Sequence, residues 1–326
     1  MIAKYSLSSG RGEQTGELVG GGCSVVLVAA QTTDVLCVGI AVQDVLLSVE
    51  GYPPADAKVR VSGVVEQGGG LAATAAVSVA RLGGRAALVA AVGDDPRGAQ
   101  MLEELAREGV DVSACRRCVG AVSPFSTVVV DRFSGTRTIF FCPGSTTLPP
   151  GSVEPSLVRG ARVLLVDALR VEAAERAALV AREAGIPVVF DAGEPGPEPR
   201  LMALADYPIP PLWAAREVSG EDDPERAALA LFRAPAKGVI VTMGPEGYVV
   251  ATSEGVWREA AFEVEMVDTT GAGDAFHGAF ALGLAWGYPV RKAARLGAAA
   301  AALKCRKPGG RTGLPSFAEV RALVEG

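Results

Sequence analysis

The stretch VDTTGAGDAFHG, residues 267–278, decides how the rest of the chain is read. A strand-like run leads into it, and the turn Gly271-Ala272-Gly273 follows. An apolar segment of helical period begins at once, with Asp274 in its first turn. A helix N-terminus carries unpaired backbone N–H groups and the positive end of the helix dipole, so it attracts anions. Glycine lets the main chain come close to such an anion, where a bulkier side chain would block it. The amides of Gly271, Ala272 and Gly273 are therefore expected to form an anion cradle, with a carboxylate beside it.

Repulsion between Asp274 and an anion makes little sense for static binding. It makes chemical sense when a neutral hydroxyl lies between them, gives its proton to Asp274 and attacks a phosphorus atom. The turn thus points to phosphoryl transfer onto an alcohol. Three other readings compete. A dinucleotide fingerprint needs a third glycine three positions after Gly273, where Phe276 stands. A phosphate loop ending in Gly-Lys-Ser/Thr is not matched by Ala272-Gly273-Asp274. An aspartate near the start of an ordinary core helix stays open on these residues alone.

The whole chain narrows the choice. Its 326 residues, 49% hydrophobic and 21% charged, suit a globular protein with one large core or two modest ones. A net charge of −6 argues against a sequence-independent grip on nucleic acid. No apolar run approaches the ~18 residues of a membrane span, so no membrane role and a cytoplasmic location are expected. Cys115 and Cys118 form a lone CxxC, and with a single histidine, His277, zinc-binding spacings are missing. No protein metal ligand is assigned.

Residues 1–33 are polar and glycine-rich before CSVVLVAAQ, an apolar stretch too late in the chain to fit a signal peptide. They read as a loosely attached extension, a tag or an over-called start, ahead of a domain spanning 34–326. From Asp34 onward, short β-rich runs alternate with helical ones. DVLCVGIAV reads as one buried strand, LAATAAVSVARLGG as a helix, AALVAAVG as a second strand, and ARVLLVDA and IPVVFDAG as later ones. This alternation predicts an α/β fold: a doubly wound, mostly parallel sheet with helices on both faces. Residues 45–67 and 121–142 break the rhythm and read as antiparallel β-ribbons, suited to a small lid or an oligomer contact.

DTTGAGDAFHG resembles the C-terminal signature of the PfkB (ribokinase-like) sugar kinases. GGGLAATAAVSVARLGG is similar to that family's N-terminal glycine motif, VGDDPRGAQMLEELAREGVD to the segment after it, and VIVTMGPEG to its nucleotide-side strand and loop. The resemblance runs from Asp34 to Gly326. It implies an ATP-dependent kinase acting on a small-molecule sugar, with magnesium arriving with ATP. Asp274 becomes the base, and the amides of Gly271, Ala272 and Gly273 become the anion hole. Thr242, Gly244, Gly247 and Thr270 fall on the nucleotide side, and Asp268 braces the turn. Asp44, placed at the end of the first strand, becomes a ligand of the sugar hydroxyls. Gly69 and Gly70 let the backbone approach the sugar. His277 is expected to pack. The family also implies a homodimer through the ribbons.

Three departures follow. Thr74 stands where many relatives carry Asn. Residues 211–214 read PLWA in place of the usual Asn-x-x-Glu, which leaves magnesium without its expected protein ligands. ALKCRKPGGRTGLP departs from the monovalent-cation loop, so potassium activation is not predicted. Within the family the chain looks most like the sulfofructose kinase and ketohexokinase branch, which implies a furanose-like ketose as substrate. Lys58 and Arg170 are candidates for a substrate anion. A ribokinase-fold regulator that binds without catalysis, or a kinase of another sugar acid or nucleoside, are the alternatives. An intact GAGD speaks against the regulator.

Overall fold

The computed structural model describes residues 33–325 apart from 135, 195, 197 and 234. These belong to one compact unit, Gln31–Gly326. The extension expected over residues 1–33 lies outside the described residues, save for Thr33.

The chain opens with β1 (Thr33–Val38), β2 (Val42–Val49), β3 (Gly63–Gly69), α1 (Leu71–Arg81), β4 (Ala86–Val89), β5 (Ala91–Gly93) and α2 (Pro96–Arg107). Then come β6 (Arg116–Cys118), β7 (Phe125–Asp131), β8 (Arg137–Cys142), α3 (Pro155–Arg159), β9 (Ala161–Asp167), α4 (Val171–Glu183) and β10 (Val188–Asp191). The C-terminal half holds α5 (Pro199–Met202), β11 (Tyr207–Ile209), α6 (Leu212–Ser219), α7 (Pro224–Leu231), β12 (Gly238–Thr242), β13 (Tyr248–Thr252) and β14 (Gly255–Glu259). Three helices close it: α8 (Ala272–Ala285), α9 (Val290–Lys304) and α10 (Phe317–Glu325).

Five strands pair in parallel in the order β11-β10-β9-β1-β4. The antiparallel β12-β13-β14 set continues from β11, with the Thr242 amide donating to the Pro210 carbonyl at 3.0 Å. Strand side chains alternate between faces, and both faces of β1 are buried. Val35 and Cys37 enter a core with α1, α8 and α9, whereas Leu36 and Val38 enter the core on the α4 side. This is the doubly wound arrangement the apolar runs predict.

Two runs read as single strands are each divided. DVLCVGIAV breaks after Val38, and β2 begins only at Val42. The bend escapes an apolar pattern because Ile40 and Ala41 inside it are also buried. AALVAAVG divides into β4, in the parallel sheet, and β5, which pairs with β6. Asp44 consequently sits on β2, not at the end of the first strand. The two ribbons also do more than form separate hairpins: they join into one four-stranded sheet, β3-β2-β7-β8, through a parallel β2–β7 pairing.

The apolar helix α8 lies between α1 and α9, and ten of its residues are buried, from Ala275 to Ala285. Its approach to α1 depends on Gly278, where a β-carbon would collide with the Ala75 carbonyl and lie 2.9 Å from Ser78 Cβ. Overpacking of this kind typically costs ~1–3 kcal/mol. Gly278→Ala is expected to lower the urea midpoint of unfolding accordingly, whereas an unchanged midpoint would mean that the crossing yields without strain.

Candidate active site

The turn preceding α8 is built from side chains of its own sequence and from a second loop. Asp268 is buried; its Oδ1 accepts from the Thr270 amide (2.9 Å) and the Thr270 hydroxyl (2.7 Å), and its Oδ2 accepts from the Gly309 amide (2.7 Å). Burial alone would raise its pKa, but these donors and the nearby Lys304 charge hold it below the ordinary value. Gly271 caps the helix at φ 76°, and a β-carbon there would run into the Gly310 carbonyl. Both the left-handed backbone and the close approach call for glycine.

Of the three expected cradle amides, that of Ala272 is spent inside the turn, donating to the Thr269 carbonyl at 3.1 Å. The amides of Gly271 and Gly273 have no protein acceptor among the described residues. The cradle therefore narrows to these two. Thr270 likewise serves the turn, its hydroxyl aimed at Asp268.

One side of the turn faces a cavity of about 380 Å³, large enough for a small-molecule ligand. Thr242, Gly244 and Gly247 line it, together with Thr269, Ala272 and Gly273 at the turn. Phe262, Val264, Met266, Ala298 and Ala301 give it apolar walls.

On the other side lie Asp44 and a residue the sequence reading missed, Arg311. Asp44 is buried on β2 and accepts a short hydrogen bond from the Ser126 hydroxyl on β7. Burial raises its pKa, partly offset by Ser126 and by the Arg311 charge. Arg311 is 6% exposed. Its Nε lies 3.3 Å from Thr74 Oγ1, and another guanidinium nitrogen donates to the Gly69 carbonyl at 2.8 Å. Burial lowers its pKa to about 10, against the pull of Asp44, Glu104 and Asp274.

The glycine triplet 68–70 acquires a different meaning from the one its sequence suggests. A side chain on Gly68 would occupy the place of the Arg311 guanidinium, and one on Gly69 the place of the Asp44 carboxylate. Gly70, at φ 91°, passes against the Ile40 carbonyl. In this structure the triplet makes room for the protein's own charges and backbone, and Thr74 is engaged by Arg311.

Asp274 is half-buried between these two sides. Burial and then the charge of Asp191 push its pKa well up, opposed by His277 and Arg311. Asp191, at the end of β10, is a second residue the reading missed. Its Oδ2 lies 3.1 Å from His277 Nδ1, off the line of a hydrogen bond. His277 Nε2 lies 3.2 Å from the Ile209 carbonyl, an acceptor that requires the proton on that nitrogen. Burial would lower the imidazole pKa, but Asp191 more than compensates and raises it. The residue expected to pack therefore also faces the Asp191 carboxylate.

Ligand atoms of Asp191, Asp274 and His277 all lie within 4.8 Å of one another. The set does not fit magnesium, which takes near-octahedral oxygen ligands, and one of its three members is an imidazole already facing a carboxylate. Residues 211–214, where the Asn-x-x-Glu is missing, lead into and begin α6. Glu194, beyond β10, has its pKa pushed up to about 7 by burial and then by Asp191 and Asp167.

The remaining candidates lie on other elements. Lys58 is exposed in the connection between β2 and β3. Arg170, at the start of α4, donates to Thr146 Oγ1 at 3.0 Å and to the Leu169 carbonyl at 3.3 Å. Arg137 of β8, which the reading passed over, donates to Thr269 Oγ1 at 2.7 Å and links the four-stranded sheet to the turn. Cys115 and Cys118 are free, their thiols aimed at the separate carbonyls of Leu88 and Thr147.

Comparison with known proteins agrees with this geometry. A profile of the pfkB family carbohydrate kinases matches residues 32–316. The chain is 30% identical over 312 residues to "Probable fructokinase-4" of Arabidopsis thaliana, covering 87% of this chain and 94% of that protein. It is 29% identical over 298 residues to the ATP-dependent ribose-1-phosphate kinase of Halopiger xanaduensis, covering 89% and 98%. The ribokinase of Thermotoga maritima superposes with a TM-score of 0.80 at 25% identity, covering 90% of this chain and 100% of that one. A family match across most of the chain, with the glycine turn and its aspartate at the centre of the fold, makes this protein a member of the pfkB family of carbohydrate kinases.

Proposed function

We propose that this carbohydrate kinase transfers the γ-phosphoryl group of ATP to a primary hydroxyl of a furanose-like ketose, with Asp274 as the base. The observation that carries this reading is the position of Asp274, on the first turn of α8 between the cavity lined by Thr242, Gly247 and Gly273 and the buried side chains of Asp44 and Arg311. Asp44, steadied by Ser126, would accept from sugar hydroxyls and orient the ring. The Ser126 hydroxyl and the Arg311 charge favour the ionised form of Asp44 against its burial. Asp274 then takes the proton of the attacking hydroxyl. The Gly271 and Gly273 amides would receive the charge on the transferred group, where preorganised donors contribute most. Magnesium would arrive with ATP and would neutralise charge on the nucleotide. The four-stranded sheet, tied to the turn by Arg137, would act as the lid that excludes water.

A fructokinase among the relatives supports the ketose assignment, and a ribose-1-phosphate kinase among them keeps pentoses in the test. Turnover of MgATP with fructose, sulfofructose, ribose, ribose 1-phosphate and adenosine identifies the acceptor. Asp274→Asn is expected to lower kcat on that acceptor by at least ~10²–10⁴-fold, the contribution of a positioned general base. MgATP binding should survive. Equal turnover by the two proteins would remove Asp274 from the chemistry.

The burial of Asp274, and after it the carboxylates around it, set a second expectation. A base works only when ionised, and a raised pKa means it becomes protonated at a higher pH than an ordinary carboxylate. The acid limb of kcat/KM should therefore lie well above the usual value of about 4. A limb at that ordinary value would show that the neighbouring charges are not felt.

Homodimerisation through the ribbons belongs to the same reading. Val64 and Val65 on β3 and Ile139 and Phe140 on β8 are exposed on this sheet, and exposed apolar strands invite cover. Light scattering at micromolar concentration should give twice the chain mass; a strict monomer would exclude the dimer.

A further inference from the structure

Lys304 ends α9 and is fully buried, with 0% of its surface exposed. Its ammonium donates to the Asp268 main-chain carbonyl at 2.8 Å. Among the described residues it forms no ion pair with a carboxylate. An ammonium taken out of water is costly unless something in the fold needs it there.

The carbonyl it holds belongs to the residue that knits two loops together. Val267 and Asp268 both donate their amides to the Cys305 carbonyl, at 2.8 and 3.1 Å. Asp268 Oδ2 takes the Gly309 amide, and Gly271 nests against Gly310. Only short stretches of main chain separate these contacts from the free amides of Gly271 and Gly273. A positive charge at Asp268 therefore lies at the root of the cradle, fixed in place by a covalent tether.

We propose that Lys304 is a positioning residue whose ammonium acts as a resident monovalent cation, clamping the Asp268 carbonyl so that the Gly271 and Gly273 amides face the phosphoryl group. Like any cation held by carbonyl oxygen, it fixes the backbone through charge rather than shape. Burial lowers its pKa, and the charge of Asp268 opposes that shift. A protein with this ammonium built in has no need of an added alkali cation at the same place.

The proposal rests on the kinase reading, so binding and turnover are read separately. MgATP affinity is measured by calorimetry, and kcat on the identified acceptor by ADP release, in tetramethylammonium, potassium and ammonium buffers. The wild type is expected to behave alike in all three. Lys304→Met keeps the bulk and removes the charge; it should weaken MgATP binding and lower kcat by about 100-fold, as small misplacements at a reacting centre do. Lys304→Ala leaves room for an ion, and ammonium or potassium should restore much of both properties, whereas tetramethylammonium should not.

Wild-type affinity and rate in Lys304→Met would overturn the clamp, because packing alone would then suffice. Loss in Lys304→Ala with no rescue by either small cation would also overturn it, leaving a purely structural lysine. If neither variant folds, the wild type decides: a severalfold stimulation by potassium over tetramethylammonium would mean that the cation position is not already filled. Should the wild type phosphorylate none of the sugars, the kinase reading fails by itself, and the MgATP affinities still judge Lys304.

Discussion

The double attachment of Asp268 is the constraint on which the site depends. Its carboxylate binds Thr270 within the turn and Gly309 across from it, and its carbonyl holds the Lys304 ammonium. Without such anchors a glycine-bearing turn has many accessible conformations, and the entropy of ordering it would oppose a preformed cradle. With them, Gly271 stays left-handed against Gly310 and α8 starts where its first amides are open. Helix position, cavity shape and the setting of Asp274 all follow from that fixed start.

The charges around Asp274 form a second level of organisation. Asp167, Asp191 and Asp274 lie at or near the ends of β9 and β10 and the start of α8, where a doubly wound sheet gathers its functional groups. Asp167 is fully buried, and its carboxylate accepts amides from Ile40 (2.8 Å), Ala72 (3.2 Å) and Leu169 (2.9 Å). It thereby pins the bend between β1 and β2 to the first turn of α1. Burial nevertheless pushes its pKa up to about 6. At Asp274 the charges of His277 and Arg311 oppose this crowding.

What could be read in the sequence was local, and what escaped was relational. The parallel core is legible because β1, β9 and β10 are continuous apolar runs, and the turn because Gly271 and Asp274 are adjacent to a helical period. The β1–β2 bend escaped because buried residues continue through it. Asp191 carries no local signature; its role is set by His277 on another element. Arg311 lies 237 positions from Thr74, and Lys304 lies 36 from Asp268. Neither pairing can be inferred from spacing, and in the sequence both cations read as part of a departure from a family loop. Gly69 and Gly70 were legible as places of close approach, but the groups that approach are this protein's own Asp44 carboxylate and Ile40 carbonyl.

Lys304 and Arg311 stand within one short C-terminal segment and serve opposite sides of the α8 N-terminus. Lys304 meets the Asp268 carbonyl on the side assigned to the nucleotide, where Cys305 lines the cavity. Arg311 reaches the Gly69 carbonyl and the charge of Asp44 on the side assigned to the sugar. The glycines between them, Gly309 and Gly310, bind Asp268 and pack on Gly271. A displacement of this segment would therefore move the cradle and the Asp44 side together, since both are tied to it by charge-assisted contacts. Coupling of that kind needs no moving domain: a rigid loop with a cation at each end suffices to keep the donor and acceptor halves of the site in register.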